Sequence, residues 1–345
     1  MTYGNNMSTT GLRDPSEDIV DVPLTQTEII LFNVILILGV LFNIYTAIAL
    51  IQTNVNSLLS KLLLYNQNIM DGAFGVMAIV TIDSRNFEEH GTGQSMNPFV
   101  CYILKNWFLL RVVRLLLVCN VVCQSADRFW AIVYPKTYRA YTKVYIITCY
   151  VSIPVYAVLG SITRVFAVTM VNGECVSNQI LLSEEVMTAV ESIFRYGIPM
   201  IFLIVLNILV IRRLYQLRII RLKSTPTSTP SQDNLTDDTE RGENSTRAII
   251  AVQMAIFLSA IVLMVEMTLL ELLNITLSAL SLHEWVDFGP DSHLRMYYYI
   301  LLGFFAGINP CLQILTMTTL RITMIKQWRK LTSKCCTKRS NTSLN

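Results

Sequence analysis

Asp127-Arg128 places an acid beside a base directly after an apolar run. A charge pair at the foot of a membrane helix is costly without a partner, so it serves as a switch that is held closed or handed to another protein. A second set consists of Arg111 and Arg114, three residues apart and so on one helical face. Arginines inside an apolar run need acids, and Glu191, Glu266 and Glu271 in later runs can supply them. Two readings stand for this set, a charged ligand pocket and an internal ion-pair network. No nucleophile stands with a base and an orienting group, and the three histidines, His90, His283 and His293, have no metal-ligand spacing. The residues point to switching and binding, not to an enzyme or a metal centre.

The elements that carry these residues must be membrane helices. With 53% apolar residues, 15% charged and a mean hydropathy of +0.49, a soluble fold would leave too much apolar surface. A spanning helix needs about 20 apolar residues. Such runs lie at Ile29–Ile51, Leu58–Ile82, Pro98–Ser125, Lys143–Ala167, Val190–Ile211, Ala248–Leu273 and Met296–Thr318. The fold expected is an all-α membrane protein, a seven-transmembrane helix bundle over 28–318. It has a polar tail at 1–27, a long loop at 212–247 and an amphipathic helix with a tail at 319–345. The first 27 residues lack the features of a cleavable signal peptide, so the first span is expected to target the chain. Within the long loop, the Ser, Thr, Asp and Asn of 222–246 offer no apolar face and are expected to be disordered.

Basic residues stay on the cytoplasmic side. They follow span three (Arg128, Lys136, Arg139, Lys143), span five (Arg212, Arg213, Arg218, Arg221, Lys223) and span seven (Arg321, Lys326, Arg329, Lys330). The N-terminus is therefore expected outside, the C-terminus in the cytoplasm, and the chain multi-pass in the plasma membrane. The net charge of +3 hides an acidic outer face that carries Glu17, Asp18, Asp21, Glu88, Glu89, Glu184 and Glu185.

Of eight cysteines, this topology leaves only Cys101 and Cys175 on the oxidising side, a natural disulfide pair. Cys119, Cys123, Cys149 and Cys311 lie within spans as small hydrophobes. Cys335 and Cys336 follow a stretch in which Leu320, Met324, Trp328 and Leu331 share one face, the pattern of a helix in the lipid interface. Palmitoylation of both is expected, the alternative being two free thiols. Of the glycosylation sequons, Asn6 and Asn274 fall outside, and Asn6 is the better acceptor because Asn274 lies close to the membrane.

Asp127-Arg128-Phe129, Ala131-Ile132 and Pro135 at the end of the third span resemble the Asp-Arg-Tyr, Ala-Ile, Pro signature of rhodopsin-like (class A) G-protein-coupled receptors, with Phe129 in the Tyr place. Further matches extend through the bundle: Gly39 and Asn43, Asn66 and Asp71, Pro199, and Asn309-Pro310 at the family's Asn-Pro-x-x-Tyr position. The resemblance implies that Arg128 and Pro135 belong to the activation switch, as do Asn309 and Pro310. It also implies that Asn43, Asp71 and Asn309 converge on a core polar cluster, often a sodium site, and that Cys101 is bridged to Cys175. A structural hydrogen-bond cluster is the alternative for the core. Pro310 removes one helix hydrogen bond and leaves a carbonyl for Asp71 or water to satisfy. Apart from a sodium ion near Asp71, no cofactor is expected.

The chain is a divergent member by the same comparison. Span four has no Trp, span six has neither the family's Trp nor a proline, and Gln313 and Asn207 stand where the family has Tyr. Gly303 stands in place of a retinal-binding Lys, and Leu110 in place of the amine-binding Asp. Retinal is thereby excluded and a small amine disfavoured, and with the acidic exterior this favours a peptide ligand. The function expected is conversion of extracellular ligand binding into heterotrimeric G-protein activation. Arrestin and kinases are further partners, lipid surrounds the bundle, and no nucleic acid is expected. The alternatives are a small-molecule chemosensory receptor and a non-signalling receptor-like scaffold.

Overall fold

A computed structural model of the protein describes residues 25–53, 55, 57–90, 98–105, 107–171, 174–177, 184–223, 236–289 and 292–341, in part by backbone alone. Asn6 lies outside the described residues, as do the side chains of Cys175, Leu331, Cys335 and Cys336.

The first helix shows how local sequence sets an element. Thr25 Oγ1 accepts from the Glu28 N–H at 3.3 Å while the Glu28 carboxylate accepts from the Thr25 N–H at 2.9 Å, closing a capping box. From there α1 runs over Gln26–Gln52, about 40 Å of helix. It is followed by α2 (Leu58–His90), α3 (Phe108–Val133), α4 (Pro135–Ser161), a hairpin of β1 (Val168–Val171) and β2 (Glu174–Ser177), α5 (Glu184–Ser192), α6 (Ile198–Lys223), α7 (Thr236–Leu282), α8 (His293–Thr316) and α9 (Thr318–Asn341). Two π-helical turns, Val100–Lys105 before α3 and Ile193–Gly197 between α5 and α6, interrupt the regular helices.

The bundle is apolar outside and polar within. Leu38, Leu159 and Ile201 are more than 60% exposed, whereas Asn43, Gln67, Asp71 and Arg128 are at most 2% exposed. That distribution reverses the one water imposes and matches a lipid solvent. Among the described residues six helical stretches are long and apolar enough to cross a membrane: Gln26–Gln52, Val100–Val133, Pro135–Ser161, Ala189–Gln216, Phe257–Leu282 and His293–Thr316. This is an all-α, multi-pass membrane architecture with one short hairpin. The expected seven apolar spans are thus met by six. The exception, α2, has 33 residues but carries a polar row at Asn66, Gln67, Asn68 and Asp71. It packs against α1, α3 and α8.

The helices also outrun their apolar stretches. The loop expected at 212–247 is narrower, because α6 continues to Lys223 and α7 already begins at Thr236. Apolar length measures the thickness of the lipid, whereas Arg, Leu and Glu propagate a helix beyond it.

Close backbone approach holds α1 on α8. A Cβ added to Gly39 would stand 2.9 Å from Gly307 Cα, so the two glycines form a small-residue crossing of the kind membrane helices use. A buried core including Phe74, Leu110, Leu117, Met267 and Leu302 joins α2, α3, α7 and α8. After a break at Met317, Leu320 is buried and Met324 packs beside it against the α1–α2 end, whereas Trp328 is 65% exposed. The apolar face expected to run through Trp328 therefore docks on the bundle only over its first turns.

Candidate functional site

Pro135 begins α4 with its φ already helical. This places Tyr138 one turn on, beside the last turn of α3. There Asp127 Oδ2 accepts from Ser60 Oγ at 2.7 Å and from Arg128 Nη2, and its Oδ1 accepts from the Tyr138 hydroxyl. Arg128 also donates to Ser60 Oγ, and the Tyr138 and Ser57 oxygens share a hydrogen bond. Asp127 and Arg128 are both buried, so the pair is a closed latch that joins α2, α3 and α4. Trp130 stacks on Tyr145 with centroids 4.2 Å apart, fixing α4 against α3 at the same level. Sequence reasoning found Asp127, Arg128 and Pro135 but missed Ser57, Ser60 and Tyr138. Their one signal was that Ser57 and Ser60 share a helical face.

Deeper in the bundle the amides form one network. Asp71 Oδ2 accepts from Asn309 Nδ2 at 3.2 Å and from Gln67 Nε2 at 3.1 Å. Gln67 Oε1 in turn accepts from Asn120 at 2.9 Å and Gln124 at 3.3 Å, so Gln67 is the hub between α2 and α3. Gln313 accepts from Asn68 at 2.8 Å. Asn43 is placed differently from expectation. Its Nδ2 donates to the Ala306 carbonyl at 3.0 Å, which is the carbonyl four residues before Pro310 that the proline leaves without a donor. The helix gap is filled by Asn43, not by Asp71. Two NH2 groups face Asp71 Oδ2, whereas a hard cation requires several converging oxygens. The arrangement is a hydrogen-bond network that leaves Asn120 Oδ1, Gln124 Oε1 and Asn309 Oδ1 buried without a hydrogen-bond partner.

Toward the other end of the bundle, Trp107 adopts a left-handed conformation (φ 57°) just before α3 and stacks on Tyr299 of α8 with centroids 4.3 Å apart. A bulky residue rarely takes that conformation, and here burial in the core holds it. The break sets the phase of α3 so that Arg111 and Arg114 face inward. Arg111 pairs with Glu191, and Arg114 Nε lies 3.6 Å from Glu271. Arg195, carried by the π-helical turn, bridges both acids: Nη1 is 3.5 Å from Glu191 and Nε is 3.0 Å from Glu271. All five side chains are at most 12% exposed. Glu266, expected as a partner of the arginines, has no ion pair within 4 Å among the described residues. Five residues apart on a helix is about 140° of rotation, so Glu266 lies on a different face of α7 from Glu271, although it stays within electrostatic reach of Arg114. Arg195 was missed, although its spacing of four from Glu191 was the available signal. A cavity of about 10 Å³ lies among Arg111, Arg114, Arg195, Glu271, Tyr298 and Tyr299.

Cys101, in the π-helical turn before α3, is disulfide-bonded, while Cys119, Cys123, Cys149 and Cys311 are free. The β1–β2 hairpin sets Cys175 opposite Met170 and packs β1 against that same turn. No protein-family model matches the chain, and no curated protein matches it.

Proposed function

We propose that the chain is a divergent rhodopsin-like receptor with seven spans, in which α2 is the seventh membrane-crossing helix. Its N-terminus lies outside the plasma membrane and its C-terminus inside, and it converts binding of an extracellular peptide into heterotrimeric G-protein activation. The observation that carries this reading is the buried latch of Asp127, Arg128, Ser60 and Tyr138. A desolvated arginine held by groups at one end of a bundle can be released to a partner there. A peptide is favoured over a small molecule because a pocket for a drug-sized ligand needs about 300–1,000 Å³, whereas among the described residues the cavity beside Arg111 and Arg114 is about 10 Å³. Contacts on the outer loops suit a larger ligand. In this reading Cys101 is bridged to Cys175, Asn6 carries glycan, and Cys335 and Cys336 carry acyl chains.

The scaffold reading has one observation in its favour. Gln313 is tied to Asn68 at 2.8 Å where the resemblance places a mobile Tyr.

The test is the full chain in lipid nanodiscs with a panel of heterotrimeric G proteins, exposed to peptide extracts. Nucleotide exchange is expected for the native chain and is lost in Arg128→Ala while the folded fraction is retained. Exchange that is unchanged in Arg128→Ala, or absent for the native chain across the panel, rejects the receptor reading.

A further inference from the structure

Three guanidinium groups, Arg111, Arg114 and Arg195, meet two carboxylates, Glu191 and Glu271, inside the bundle. Counted over these five described groups, the cluster carries one surplus positive charge. Its donors are also in surplus: Arg111 Nε and Arg114 Nη2 are buried without a hydrogen-bond partner and Arg114 Nε meets Glu271 only at 3.6 Å, whereas no buried oxygen of Glu191 or Glu271 lacks a partner. Arg114 and Arg111 are 6% and 8% exposed, and both line the cavity. A buried cation with unused N–H groups is costly unless a negative acceptor completes it. Two further carboxylates, Glu266 and Asp71, lie within electrostatic reach of Arg114, and neither has an ion pair within 4 Å among the described residues. They lower the surplus from a distance but accept from none of these nitrogens.

The cavity volume decides what can enter. About 10 Å³ is room on the order of one water-sized particle. We propose that this cavity is an anion site that takes a single small monoanion, bound by Arg114 and Arg111 with Arg195 beside them. The source is either a free halide ion or a carboxylate delivered by the ligand, and both offer the compact acceptor that guanidinium groups prefer. The site stands apart from the receptor reading, because binding is read without any signalling step.

The experiment uses the full chain in nanodiscs of neutral lipid. Thermal unfolding is followed by a thiol-reactive dye at the buried Cys119 and Cys149, in sodium gluconate exchanged for sodium chloride or sodium acetate at constant ionic strength. Gluconate is too bulky for a water-sized space, whereas chloride enters it whole and acetate presents only its carboxylate group to it. The expected result is a saturable rise of the unfolding midpoint on the order of 2 °C in chloride or acetate. A larger effect of chloride assigns the site to a free halide, and a larger effect of acetate assigns it to a carboxylate. Arg114→Gln removes the surplus charge and should abolish the shift. Glu266→Gln removes an opposing charge and should reach half-saturation at a lower anion concentration, which keeps the test decisive if Arg114→Gln folds poorly. Identical midpoints in all three salts for both the native chain and Glu266→Gln overturn the proposal. So does a shift that survives in Arg114→Gln.

Discussion

Asn43→Leu removes the donor that satisfies the Ala306 carbonyl while keeping the number of side-chain heavy atoms. Asn43 is fully buried and donates to Ala306 O at 3.0 Å; that carbonyl has no helical donor because residue 310 is a proline. An acceptor left bare in the interior costs about 1–3 kcal/mol, and interhelical hydrogen bonds in membrane bundles average about 0.6 kcal/mol. The expected loss therefore lies at about 1 kcal/mol or somewhat above. The decisive comparison is a double-mutant cycle with Pro310→Ala. Alanine restores an N–H at 310 that can reach Ala306 O, so Asn43→Leu should cost less in that background, by about 0.5–1 kcal/mol. Unfolding in a denaturing-detergent titration, read by dye reaction at the buried Cys119 and Cys149, gives all four stabilities. If Asn43→Leu costs the same with proline and with alanine at 310, the carbonyl is not what Asn43 serves and the argument fails.

Three further outcomes follow from other contacts. Tyr138→Phe removes one of the donors to Asp127, worth about 1.5–3 kcal/mol for a charged acceptor, and should raise basal nucleotide exchange by a factor of about 10 to 100; basal exchange at or below the native level would refute the latch. Gly39→Val sets a Cβ 2.9 Å from the Gly307 backbone and should destabilise by about 1–3 kcal/mol, measured by the same titration; native stability would mean that α1 and α8 do not cross there. Cys101→Ser, Cys175→Ser and the double variant should each lose about 2–4 kcal/mol to the same extent, and a double variant clearly worse than either single one would show that the two are not paired.

The sequence by itself determined the helical membrane character, since runs of about 20 apolar residues leave few other folds in lipid. The Asp127–Arg128 pair was expected from the family resemblance, because neighbours on a helix point about 100° apart and meet only where packing turns their side chains together. The surroundings of that pair were a different matter. Ser60 and Tyr138 lie 67 and 11 residues from Asp127, and only the packing of α2 and α4 on α3 brings them there. Asn43 against Ala306 spans 263 residues, so which group fills the Pro310 gap could not be read from spacing. The choice of Glu271 over Glu266 depended on helical phase. In a soluble helix the apolar stripe reveals the phase, but a lipid-facing helix is apolar on its outer face and largely apolar within, so the stripe vanishes. The left-handed Trp107 and the π-helical turn at Ile193–Gly197 shift that phase again. They decide that Arg111, Arg114 and Arg195 converge, and no pattern in the chain announces either break.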